Sequence, residues 1–107
     1  MSYWIFNGSP WNKKGYTNLA DVRKAAVKKL IHNKREYVQI VKADEPPYDW
    51  KRNYTVIGMV VLIPGWKNPT PQWYPHSWYI TKKEPKWITP SGNLGSVIPR
   101  NERSWNP

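Results

Sequence analysis

The sequence predicts an α+β domain: a single helix packed on a mostly antiparallel sheet of four to six strands. Three observations predict it. Tyr54–Ile63, reading Y-T-V-I-G-M-V-V-L-I, is the one long apolar run in a polar, basic chain. Its Val, Ile and Thr content favours extended backbone, and it reaches only about half the roughly 20 residues of a membrane helix. Asn18 to His32 is the one segment with a helical apolar stripe. After it, several strand-like runs follow with no second helix between them, which favours antiparallel pairing. The expected order is β-α-β-β-β, closing on a C-terminal hairpin.

Taken in order, Tyr3-Trp4-Ile5-Phe6 is a short strand, apolar on both faces, stopped by the turn residues Asn7-Gly8-Ser9-Pro10. This opening resembles the start of EVE domains in the PUA-like group, which bind modified bases. The likeness stops at Pro10, beyond which the loops follow a different spacing, so no site residue is carried over.

Asn18 is a good N-cap, and Asp21 stands where a capping box needs an acceptor. Leu19, Val22, Ala26 and Leu30 share one face, widened by Val27 and Ile31. Lys28, Lys29 and His32 crowd the last turn, where positive charge suits the macrodipole. Asn33 is expected to take the left-handed position at the end.

Tyr37–Lys42 is a second strand, with Val38 and Ile40 on one face and Tyr37, Gln39 and Val41 on the other. A loop through Asp44, Glu45, Pro46, Pro47, Tyr48, Asp49, Trp50, Lys51 and Arg52 joins it to the central strand, making an antiparallel hairpin. Val22, Ala26 and Leu30 are expected to face Val56, Val60 and Leu62, or the other register of that strand. Gly58 suggests a bulge or a close backbone approach. Pro64 to Ser77, rich in Pro, Trp and Tyr, reads as a long mobile loop and a contact site. Trp78–Lys83 reads as a further strand. Trp87-Ile88-Thr89 and a return run from Leu94 to Ile98 flank Pro90-Ser91-Gly92-Asn93, a turn with Pro at its second position and Gly able to go left-handed. Residues 1–99 form one domain, and 100–107 a polar tail.

Composition narrows the function. Lys+Arg 17 against Asp+Glu 7 gives a net charge of +10, which biases a folded domain towards polyanions. Cysteine is absent, so there is neither a disulfide framework nor a thiolate zinc site. The start at Met1-Ser2-Tyr3-Trp4 has neither the basic n-region nor the apolar h-region of a signal peptide, and with the lack of cysteine this points to the cytoplasm and to no membrane span. His32 sits among lysines at a helix end, and His76 and Ser77 are adjacent and point apart along a strand. Asp44, Glu45 and Asp49 have no calcium-loop spacing and more simply neutralise Lys51 and Arg52. No phosphate-loop, dinucleotide or nucleophile-elbow motif occurs. No catalysis, metal or cofactor is expected.

Aromatic residues interleaved with basic ones are the stronger signal. Trp50 adjoins Lys51 and Arg52, Trp66 adjoins Lys67, and Lys82, Lys83 and Lys86 flank Trp78 and Trp87. Single-strand binders combine basic grooves with aromatic platforms. The expectation is a small basic binding protein that takes single-stranded or irregular nucleic acid. Trp50, Trp66 and Trp73 would stack, and Lys51, Arg52, Lys67, Lys82, Lys83 and Lys86 would attract phosphate. The alternative is an adaptor or inhibitor, of the kind phages and mobile elements encode, that grips a protein partner, an acidic one included, through the Trp/Pro-rich loop.

Overall fold

The computed structural model describes residues 1–64, 69–76 and 86–95. Its elements are β1 (Ser2–Phe6), α1 (Leu19–Asn33), β2 (Tyr37–Ala43), β3 (Thr55–Ile63), β4 (Thr70–Pro75) and β5 (Lys86–Trp87). The strands form one antiparallel sheet in the order β1-β2-β3-β4-β5, with α1 packed on one face. The return segment after β1 explains why β2 runs antiparallel to it. Pro10 bridges to Phe6 and Tyr16 to Tyr3, so the chain doubles back along the outer edge of β1 before α1 begins. Asn12 Oδ1 also accepts from Ile5 N at 2.8 Å. These contacts occupy an edge that would otherwise offer unpaired backbone groups.

The helix starts as its sequence requires: Asn18 Oδ1 accepts from Ala20 N at 2.7 Å and from Asp21 N at 3.3 Å. Val22, Ala26 and Leu30 are fully buried against Ile5, Val38, Ile40, Val60, Leu62, Trp73 and Ile88. Two details differ from expectation. The left-handed residue is Lys34 (φ 55°), one position past Asn33, and its N–H caps the carbonyls of Leu30 and Ile31. The buried face widens towards Arg23, 8% exposed, while Ile31 is 56% exposed.

The central strand carries the expected irregularity. Ile40 pairs with Gly58 and Val41 with Val56, so Ile57 is an extra residue in β3. The bulge changes which side chains share a face. Val60 and Leu62 meet the helix as expected, but Val56 packs on the opposite face with Trp4, Phe6, Val41 and Ala43. A Cβ on Gly58 would lie 2.5 Å from the Trp73 ring, so the glycine is there to admit that ring.

Pro64–Ser77 is corrected. Its residues 70–75 form β4, paired with β3 from Gly58 to Ile63 and with β5 through Gln72 and Trp73. Proline normally argues against such a position. Here Pro71 O accepts from Ile88 N and His76 N donates to Ile57 O. Pro71 and Pro75 therefore turn their backbone away from β3, and that ladder loses no donor. The hairpin turn is as read: Gly92 N donates to Thr89 O, Thr89 N to Asn93 O, and Gly92 has φ 88°. Its tip docks on the start of α1, where a side chain at Gly92 would collide with Ala20 O. The strand expected at 78–83, the end of the return run, and the 100–107 tail lie outside the described residues.

The helix orientation gives a paired prediction. Leu30→Ala should cost about 2–5 kcal/mol in urea unfolding, whereas Ile31→Ala should stay within about 0.5 kcal/mol. Equal losses would contradict the buried face described.

Candidate nucleic-acid interface

The segment between β2 and β3 folds back over the second face of the sheet. Pro47 is fully buried beneath it. Asn53 ties the loop to itself, its Oδ1 accepting from Tyr48 N and its Nδ2 donating to Pro46 O, both at 3.3 Å. Asp49 N donates to Gly8 O at 3.1 Å, joining the loop to the turn after β1. The Tyr54 ring stacks at 4.5 Å on Phe6, and its hydroxyl donates to Asp49 Oδ1 at 3.0 Å.

On this anchored base stands a tight turn. Tyr48 O accepts from both Lys51 N and Arg52 N, and Arg52 closes the turn in the left-handed conformation at φ 49°. Strain of this kind, on the order of 1–3 kcal/mol, is held only where surrounding bonds impose it. Its result is to project Trp50, which is 76% exposed. The Tyr48 and Trp50 rings lie 5.9 Å apart, and Lys51 Nζ sits 5.1 Å from the Trp50 ring and 5.5 Å from the Tyr48 ring. Among the described residues Lys51 and Arg52 form no ion pair with Asp44, Glu45 or Asp49. Asp44 instead lies 3.7 Å from the Met1 amino group.

The structure thus brings Trp50, Lys51 and Arg52 together. It removes Trp73 from the set. That ring is 3% exposed in the helix-side core, with no open face for a base. Lys86 is exposed but lies in β5, at the opposite edge of the sheet from β1, to which the loop is joined through Gly8. Trp66, Lys67, Lys82 and Lys83 lie outside the described residues. Tyr48 was not singled out from the sequence as an aromatic partner of Trp50. Their spacing of two, directly after Pro46-Pro47, was the available signal.

No cluster of metal-ligating side chains occurs among the described residues, and no helix among them is long and apolar enough to cross a membrane. Comparison with protein-family models, curated proteins and solved structures finds no match.

Burial, then the bond to Asp49 and its negative charge, raise the Tyr54 hydroxyl above its usual 10.0, with Arg52 opposing. The fold therefore favours the neutral phenol. Its stabilising contribution is intact below pH 10 and is lost as pH climbs through the raised value. Wild type should lose more stability than Tyr54→Phe between pH 9 and pH 11, measured as urea midpoints. Parallel pH profiles would show that the hydroxyl bond contributes nothing.

Proposed function

We propose that this protein binds single-stranded or irregular nucleic acid through the Tyr48–Tyr54 turn. One observation carries the reading: a widely exposed indole, Trp50, stands on an anchored loop with Lys51 over its ring and Arg52 next in the chain, neither cation ion-paired among the described residues. A base stacked on such a ring contributes about 1–3 kcal/mol. Lys51 and Arg52 supply phosphate contacts, and the net charge of +10 supplies long-range attraction. A turn fixed in advance loses little entropy on binding.

A second reading rests on a different surface. Tyr37, 56% exposed, lines an apolar groove on the β3–β4 part of the second sheet face with Met59, Val61, Ile63 and Tyr74. Such a groove favours a protein partner, and it replaces the Trp/Pro loop as the support for that alternative.

Salt separates the two. On a single strand each neutralised phosphate contributes about −0.7 to the log–log salt slope. Two phosphates at Lys51 and Arg52 predict a slope near −1.4 for a tetranucleotide, about a sevenfold loss of affinity between 50 and 200 mM salt. Tryptophan fluorescence should be quenched by the oligonucleotide and not by heparin. Equal weak responses to both would reduce the reading to generic polyanion attraction. No response at either salt would overturn it and leave the protein-partner reading.

A further inference from the structure

We infer that the notch between Trp11 and the C-terminal turn of α1 is a second contact point for the same nucleic-acid strand, with Trp11 taking a base and Lys29 and Arg35 taking the phosphates beside it. The inference rests on the nucleic-acid reading of the Trp50 turn and extends it around the edge of the sheet.

The notch is lined by Trp11, Lys29, Asn33 and Arg35. Among the described residues it combines one half-buried aromatic with two cations and no carboxylate. Neither Lys29 nor Arg35 has an acidic partner among the described residues. The surrounding sequence repeats the pattern: Val22 to Arg35 contains Arg23, Lys24, Lys28, Lys29, Lys34 and Arg35 and no Asp or Glu.

A helix C-terminus ordinarily repels anions, because its last carbonyls point outward with partial negative charge. Here two of the last four are occupied, Leu30 O accepting from Arg35 N at 2.9 Å and Ile31 O from Lys34 N at 3.3 Å, and Lys29 O before them accepts from Asn33 Nδ2 at 2.9 Å. The left-handed turn at Lys34 makes this closure, and Arg35 lines the notch together with Lys29. Two cationic side chains thus offset the partial negative charge of the helix end.

The two contact points are also close along the surface. Asp49, next to Trp50, is bonded to Gly8 at 3.1 Å, and Trp11 follows Gly8 by three residues, at most about 11 Å of chain. Trp11 is fixed by donating its N–H to Ile5 O at 2.8 Å and by packing on the helix-side core. A strand leaving Trp50 on one face of the sheet reaches Trp11 on the other by crossing the β1 edge, past the exposed Lys13 and Lys14.

The test compares K29Q/R35Q, K51Q/R52Q and wild type on a dodecathymidylate, with affinity read between 50 and 200 mM salt. Four phosphates predict a wild-type slope near −2.8, about a fiftyfold loss across that range. Each double variant should fall to about −1.4, or sevenfold. K29Q/R35Q should bind a tetranucleotide like wild type, and its thermal midpoint should match wild type; R35Q alone serves should it not. A wild-type slope in K29Q/R35Q with a reduced slope in K51Q/R52Q would overturn the notch and leave the Trp50 reading standing. The converse would keep the notch and remove Trp50. No binding by wild type would overturn both.

Discussion

The Trp73 ring lies where residue 58 would carry a side chain, and much of the fold depends on that exchange. Gly58 leaves the space, and the ring fills it between sheet and helix. An aromatic side chain removes roughly 150–250 Å² from water, about 4–6 kcal/mol of transfer free energy. The ring in turn supports Arg23, whose guanidinium carbon sits 4.7 Å from its centroid. Burial lowers the Arg23 pKa, so the charge is held at a cost. The ring face and the Gly92 carbonyl, which accepts from Nη1 at 3.3 Å, offset it. Through that bond the β5 hairpin is fastened to the start of the helix. A small domain with few aliphatic residues beyond β3 is in this way closed by tryptophan and arginine.

The same residue types serve the surface differently. Trp4 is buried on the second face, and its indole N–H donates to Ala43 O at 3.2 Å. Trp50 sits on a strained turn above that same layer and faces solvent. Lys51 lies 5.1 Å from its ring, and the stacking role proposed for Trp50 rests on that exposure. The return segment after β1 connects this turn to the Trp11 notch, so sheet edge protection and the proposed binding surface share one stretch of chain.

Periodicity made β1, α1, β2, β3 and the Gly92 turn readable before any coordinates. It failed at β4 because Pro69, Pro71 and Pro75 read as loop; only the side of the ladder each nitrogen faces makes them compatible with a strand. Val56 was placed on the wrong face because a one-residue bulge at Ile57 resets the alternation. Ile31 reads as part of the buried face because hydropathy ranks it so; the face widens instead towards Arg23, where the Trp73 ring and the Gly92 carbonyl lie. Trp50 stands between Asp49 and Lys51 and Trp73 between Gln72 and Tyr74, and neither neighbourhood says which ring is buried. Long-range partners, Gly58 for one and Gly8 for the other, decide which is core and which is surface.

The central claim is a division of labour among the tryptophans. It is tested most directly by the indole N–H resonances of 15N-labelled protein, eight in all, followed as dodecathymidylate is added at low salt. The account predicts that the Trp50 and Trp11 signals shift together while those of Trp4 and Trp73 stay fixed. Movement of Trp4 or Trp73 with Trp50 unchanged would contradict it.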